Sequence, residues 1–210
     1  MNTLKERVQR AVREDVTIVP YDSRWPELFR QESAHLLSCL PTRFIRRIEH
    51  FGSTAVPGLA AKPIVDILIE VTSLRSARAE IAPILQAQGY DYFWRPTFGD
   101  DVPPWYPFFI KRTEGGIRSH HIHIVTRRRM FQEHWDRLRF RDYLIAHPQT
   151  AREYERLKVD LAATHPHDRV AYTRRKAAFI SCVMAKVAKS PNHALQPTAL
   201  LRHAFDVDLS

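Results

Sequence analysis

The residues best suited to chemistry lie in one stretch, His50 to Val71, where a Gly-Ser turn precedes an apolar run that carries one carboxylate. Gly52 permits a sharp backbone turn, and Ser53 is placed to cap a following helix whose free N–H groups face a phosphate. Asp66 offers the oxygen ligand that Mg²⁺ prefers. Lys62, between the turn and the carboxylate, adds a positive charge. This spacing predicts a site for the phosphates of a nucleotide and a magnesium ion.

The run that carries Asp66 has the alternation of a half-buried strand. Three apolar side chains fall on one side: Ile67, Ile69 and Val71. Asp66, Leu68 and Glu70 fall on the other side. We therefore expect one face of this strand to be buried and Asp66 to stand on the open face.

A second candidate element is a histidine-rich strand, Ile117 to Val125, which follows a turn at Gly115 and Gly116. Its His121 and His123 share one face. Imidazole ligates divalent metals or contacts phosphates, and it suits ions softer than magnesium, such as manganese. The two histidines are candidate metal ligands, and a polar sheet face without an ion is the alternative.

The surrounding pattern predicts an α+β fold. Apolar periodicity and capping residues indicate helices over about 4–12, 25–40, 73–87, 131–144, 150–164 and 170–188, and further strands over 90–94 and 105–111. Alternating strands followed by a late run of helices predict a mixed sheet of four or five strands with helices on one face. The C-terminal helical part should close a cleft over Asp66. Four basic residues of these helices are candidates to face a phosphate or to be solvated: Arg141, Lys158, Arg174 and Lys176.

Composition narrows the class of protein. The chain has 210 residues, 44% of them hydrophobic, which suits one domain with a real core. A net charge of +9 favours polyanionic partners, namely a nucleoside triphosphate, another phosphorylated small molecule or RNA, although no RNA-binding motif is recognisable. Cys39 and Cys182 have no CxxC spacing, and no apolar run approaches the about 20 residues of a membrane span. We therefore expect a cytoplasmic protein that is not in the membrane.

A group of turn and strand residues resembles the signature of the GrpB-like family and, more remotely, that of the nucleotidyltransferase superfamily. These residues are Gly52, Ser53, Thr54, Pro57, Gly58, Lys62, Pro63 and Asp66. The resemblance extends from about Ile18 to Val187. It implies a nucleotidyltransferase-like sheet, Mg or Mn as cofactor, Asp66 as catalytic residue, and a histidine strand placed so that His121 or His123 approaches Asp66. It also implies transfer of a nucleoside monophosphate from an NTP to an unknown acceptor.

The domain organisation follows from that extent. Residues 1–17 are predicted as an N-terminal helical extension, 18–188 as the GrpB-like domain, and 189–210 as a disordered tail, because the periodicity fails there.

One departure from the superfamily pattern keeps a second function open. Leu68 stands where the superfamily has its second carboxylate, and Glu70 is about 13 Å from Asp66 along an extended strand. That distance is too long for both to share one ion. The alternative to an enzyme is therefore a catalytically impaired module of the same fold that binds a nucleotide or a phosphate.

Overall fold

A five-stranded mixed sheet forms the centre of the computed structural model, which describes residues 3–97 and 102–189. Its strands are β1 (Ile45–Phe51), β2 (Val65–Val71), β3 (Asp91–Pro96), β4 (Trp105–Arg112) and β5 (Arg118–Val125). Their order across the sheet is β1-β2-β5-β4-β3. Only the central pair, β2 and β5, is parallel, and the other neighbours are antiparallel. The mixed sheet expected from the sequence is confirmed.

Helices surround this sheet. They are α1 (Leu4–Arg13), α2 (Trp25–Cys39), α3 (Leu74–Ser76), α4 (Ala82–Ala87), α5 (Gln132–Ala146), α6 (Pro148–Thr164), α7 (Arg169–Arg175) and α8 (Ala177–Lys189). A π-helical turn, Ala77–Ile81, joins α3 to α4. The α+β class is confirmed. The single helix predicted over 170–188 is wrong, since the chain leaves the helix at Lys176 and starts α8 one residue later.

The two faces of β2 are covered differently. Ile67 and Ile69 are fully buried in the main core, against apolar side chains from α2, the π turn and α4. Leu68, on the opposite face, is buried under α5, whose Trp135 and Leu138 belong to the same apolar cluster. The C-terminal helical part thus closes over Leu68, whereas Asp66 on the same face keeps 26% of its side chain exposed.

Two further predictions concern the membrane and the C-terminal tail. No helix within residues 3–97 and 102–189 is both long and apolar enough to span a membrane. The segment predicted as a disordered tail lies outside the described residues, except for Lys189, which ends α8.

Candidate phosphate and metal site

The parallel pairing of β2 with β5 brings the predicted metal ligands together. Asp66 pairs with His121, and Leu68 pairs with His123. Paired residues of neighbouring strands point to the same face, so Asp66 and both histidines share one face of the sheet. His121 Nδ1 lies 2.9 Å from Asp66 Oδ1. One potential ligand atom from each of Asp66, His121 and His123 lies within 4.8 Å of the others.

The protonation of His121 follows from its two partners. Arg118 Nη1 lies 3.1 Å from His121 Nε2, and a guanidinium group only donates, so Nε2 accepts and the ring proton is on Nδ1. Nδ1–H therefore donates to Asp66. Burial lowers the pKa of His121 to about 4, which keeps the ring neutral near pH 7.

The Asp66 carboxylate is held in its charged form. Burial acts to raise its pKa, but the His121 hydrogen bond and the positive charge of Lys62 outweigh burial, and the net shift is downwards. The side chain keeps 26% of its surface exposed. An ionised, accessible carboxylate beside neutral imidazoles is a competent set of metal ligands.

The donor set fits one divalent ion. Two ligands on opposite sides of an ion with bonds of about 2.1 Å are about 4.2 Å apart, so atoms within 4.8 Å need only a small adjustment. Among the described residues, neither Asp66 Oδ2 nor His123 Nε2 takes part in a hydrogen bond. His123 Nδ1 faces the Tyr106 hydroxyl at 3.1 Å. His121 already uses both nitrogens and, as it stands, orients Asp66, the part an outer-shell histidine commonly has.

Gly52 leaves the space that the Asp66 carboxylate occupies. Its φ of +74° favours glycine, and a Cβ built on it would lie 2.5 Å from Asp66 Oδ2. The helix cap predicted for Ser53 is wrong, because Ser53–Ala55 is one 3₁₀ turn with Gly52 as N-cap and no side-chain cap hydrogen bond. One short turn does not provide the row of free amides that a long helix offers a phosphate.

Replacing Gly52 with alanine should therefore displace Asp66. We expect Gly52→Ala to weaken Mn²⁺ binding about tenfold, the lower end of the losses seen when the surroundings of a metal ligand are disturbed. Calorimetric titration with MnCl₂ measures this effect. Gly58→Ala is the matched control, because Gly58 also has a positive φ (+75°) but no atom within 4 Å of the place where its new methyl group would lie. Equal affinities in the two variants would contradict the role of Gly52.

Two lysines add positive charge beside Asp66. Lys62 Nζ lies 5.0 Å, and Lys176 Nζ 4.4 Å, from the centroid of the buried Tyr172 ring. Burial lowers the pKa of Lys176 to about 8, and burial with repulsion from Lys176 and Arg169 lowers that of Lys62 well below its usual value. Within the part of the chain that the structure describes, no carboxylate forms an ion pair with either amine. The charged form of each amine is therefore poorly compensated in this pocket, and a bound phosphate would stabilise it.

The basic helix residues predicted to face a phosphate divide into separate roles. Arg141 is buried and donates to the His50 carbonyl oxygen at 2.5 Å, and the buried Lys158 donates to the Ala60 carbonyl oxygen. Both hold the C-terminal helices to the segment around the Gly-Ser turn. Arg174 is exposed on α7. Of the four residues, Lys176 is the one whose charge acts on Asp66.

Two arginines of this site are absent from the residues predicted by sequence. Arg118 lies three residues before His121 in the same strand, and Arg169 directly follows Asp168, the residue that caps α7. Both act on the pKa of Lys62. The signal available in the sequence was their position, one at the start of a histidine-rich strand and the other after a helix-capping aspartate. Neither arginine belongs to a characteristic motif.

Comparisons with known proteins place the chain in a family. Residues 15–186 match the family described as GrpB protein. The chain is 34% identical to a UPF0157 protein of Pseudomonas aeruginosa, over 94% of this chain and 78% of that protein. It is also 34% identical to the glutamate-rich protein GrpB of Alkalihalophilus pseudofirmus, over 81% of this chain and 94% of that protein.

Structural comparison agrees. The crystal structure of conserved protein GrpB from Enterococcus faecalis matches with a TM-score of 0.68 and 32% identity, over 82% of this chain and 98% of that one. A shorter match, 38% identical over 85 residues, is to a dephospho-CoA kinase of Mycolicibacterium paratuberculosis and covers 39% of this chain and 20% of the kinase. The family match and these relatives show that the chain belongs to the GrpB family.

Proposed function

We propose that this protein binds the phosphates of a nucleoside triphosphate through one divalent ion, magnesium or manganese, as the first step of nucleotidyl transfer to an acceptor. The observation that carries the proposal is the meeting of two features in one pocket. The ligand atoms of Asp66 and His123 lie beside Lys62 and Lys176, two amines without a carboxylate partner among the described residues. Metal ligands and two amines that gain a counter-charge from a phosphate together suit a metal-bound phosphate chain.

The residues divide the work between them. Asp66 and His123 supply oxygen and nitrogen ligands, and His121 holds the Asp66 carboxylate in place through its Nδ1–H. A bound divalent ion would supply charge neutralisation on the phosphate oxygens. Lys62 and Lys176 would contact phosphate oxygens. The lysine ammonium suits this role because it is a compact charge at the end of a flexible side chain. The mixed ligand set favours manganese over magnesium, because imidazole suits the softer ion.

A second candidate is a binding module that holds the nucleotide without turning it over. Its support is Leu68, which is 1% exposed and packed under α5 at the position of the superfamily's second carboxylate. Two-metal transfer needs a pair of ions about 4 Å apart, usually held by shared acids. With Asp66 as the carboxylate of this pocket, one ion is the expectation.

The short match to a dephospho-CoA kinase carries no inference about ligand or reaction, because it covers only 20% of that protein. The present chain has no P-loop sequence, so kinase chemistry is not inferred for it.

The test is calorimetry with nucleoside triphosphates in the presence of Mn²⁺ or Mg²⁺, followed by incubation of the best binder as an α-labelled NTP with candidate acceptors. We expect Asp66→Asn to remove metal-dependent binding. Lys62→Gln and Lys176→Gln should each weaken nucleotide binding about tenfold or more, because each removes a charge-assisted contact. Lys186→Gln is the matched control, since Lys186 is exposed on α8.

The outcomes separate the two candidates. Transfer of label that depends on Asp66 supports the enzyme, whereas binding without transfer supports the module. Failure of every nucleotide to bind with either ion, or equal binding by Lys176→Gln and Lys186→Gln, would contradict the proposed site.

A further inference from the structure

A continuous series of polar contacts links Asp66 to the N-terminal helix. Asp66 accepts from His121, and His121 accepts from Arg118. Arg118 Nη2 donates to the Ala11 carbonyl oxygen of α1 at 2.9 Å. Its Nε lies 2.8 Å from Glu14 Oε2, an ion pair in which the N–H does not point along the line to the oxygen. The candidate metal ligand is therefore connected through two residues to the end of α1.

Glu14 is the point where several cations of the site converge. Besides Arg118, its carboxylate pairs with Arg112 and lies 3.6 Å from Arg169 of α7. The side chains of Arg112 and Arg118 are only 8% and 7% exposed. Buried guanidinium groups need a compensating carboxylate, and Glu14 supplies it from outside the sheet. One carboxylate thus holds β5 and α7, which flank Asp66 on two sides.

The neighbouring residues hold the same segment in place. Asp15 Oδ1 lies 2.6 Å from His167 Nδ1, and the Val16 amide donates to the Pro166 carbonyl oxygen at 2.8 Å. Farther along α1, Arg10 pairs with Asp91 of β3 at 2.6 Å. The segment predicted as a separate helical extension is therefore fastened directly onto the site. Its residues up to Glu14 precede the part of the chain that matches the family, which begins at residue 15.

We propose that Glu14 is a positioning residue for the Asp66 site: it fixes the Arg118 guanidinium, which donates to His121 Nε2 and so fixes the ring whose Nδ1–H orients the Asp66 carboxylate. This inference rests on the proposed metal site for its effect on binding. The hydrogen-bond relay itself exists in the metal-free protein. Glu14 touches neither metal nor phosphate and acts only through Arg118 and His121. The N-terminal segment is therefore part of the functional unit.

The first measurement is the ¹⁵N chemical shift of His121 Nε2 in the metal-free, full-length protein, which reports whether this nitrogen accepts a hydrogen bond. Long-range ¹H–¹⁵N spectra of ¹⁵N-histidine protein give it, with the His121 signals assigned from a His121→Gln sample. We expect the parent protein to show the Nδ1–H form with Nε2 hydrogen-bonded to Arg118. Glu14→Gln should keep the Nδ1–H form, because the Asp66 carboxylate only accepts, and should move the Nε2 shift towards that of a free ring nitrogen, because Arg118 is no longer held against it. Calorimetry should then show Mn²⁺ affinity reduced about tenfold, as for other outer-shell changes.

Two further variants separate positioning from folding. Arg10→Gln loosens the same helix at Asp91 but leaves Glu14 in place, so it should keep the parent Nε2 shift. Glu14→Asp keeps the charge that the buried arginines need and withdraws it by one methylene, so it should fold and show a smaller change in the same direction. The result is readable from Glu14→Asp even if Glu14→Gln does not fold.

Two results would overturn the inference. One is an unchanged His121 Nε2 shift in Glu14→Asp and in any folded Glu14→Gln, and the other is an equal change in Arg10→Gln, which would assign the effect to docking of α1 in general. Failure of the parent protein to bind Mn²⁺ is a different outcome. It would refute the proposed metal site, while the His121 Nε2 shift of the metal-free protein would still decide the role of Glu14.

Discussion

Acidification from pH 6.5 to pH 4 is expected to unfold this protein. Burial lowers the pKa of several histidines: those of His50 and His121 to about 4, that of His134 to about 2, that of His123 well below its usual value, and that of His120. Their pKa in the unfolded chain is about 6.5. Below that pH the unfolded state binds more protons than the folded state, so the free energy of unfolding falls as the pH falls.

The expected loss of free energy of unfolding is large compared with the total stability of an ordinary domain. Each histidine that stays neutral in the folded state contributes a slope of about 1.4 kcal/mol per pH unit. Several together remove a few kcal/mol per unit, against a total stability of about 5–15 kcal/mol for a typical domain. Urea unfolding followed by circular dichroism from pH 7.5 to 4.5 measures this slope. A free energy of unfolding that is constant over that range would contradict the buried neutral histidines.

His134 is the best single residue on which to test the cause. It is fully buried, and neither ring nitrogen has a hydrogen-bond partner among the described residues. Its ring packs edge-on against Tyr106, with centroids 4.5 Å apart. His134→Phe keeps an aromatic ring and removes the proton site, so it should raise the free energy of unfolding at pH 5 by about 2 kcal/mol relative to the parent. His35→Gln, at an exposed site of α2, should leave the acid transition unchanged.

The site-bearing strands were predictable because their signal is local. Alternation with a period of two placed Ile67 and Ile69 on one face and Asp66 on the other, and the structure confirms both faces. The same pattern put His121 and His123 on one side of β5. The prediction that they approach Asp66 rested only on the family resemblance. The register between two strands whose residues are 55 positions apart cannot be predicted from the pattern of either strand alone.

The parts that escaped prediction are long-range contacts. Arg118 reaches a carbonyl oxygen of α1 that is 107 residues away in sequence, and Arg10 reaches Asp91 across 81 residues. Neither contact has a local pattern, so the sequence predicts residues 1–17 as an N-terminal helical extension without indicating what that helix contacts. The break at Lys176 has no local signal either, since suitable helix formers continue through it without a Gly or Pro.

Leu68→Asp is expected to destabilise the protein by several kcal/mol and not to complete a catalytic pair of acids. Leu68 is 1% exposed and lies in an apolar cluster with Phe51, Phe131 and Trp135. A carboxylate there would lose its hydration without a hydrogen-bond donor arranged for it, and its pKa would rise until the group became neutral. A neutral, buried acid would be a poor ligand for magnesium, whatever its distance from Asp66.

Matched variants isolate the charge from the loss of volume. Leu68→Met should cost less than about 1.5 kcal/mol, because it conserves volume, and Leu68→Ala about 2–5 kcal/mol, because it leaves a cavity. In urea unfolding at pH 7.5, Leu68→Asp should lower the free energy of unfolding by more than Leu68→Ala does. The difference between the two variants should shrink at pH 5, where the carboxyl group protonates more readily. A Leu68→Asp protein as stable as the parent, with magnesium-dependent transfer of α-label, would contradict this expectation. It would also show that the pocket accepts a second acid and would favour the enzyme over the binding module.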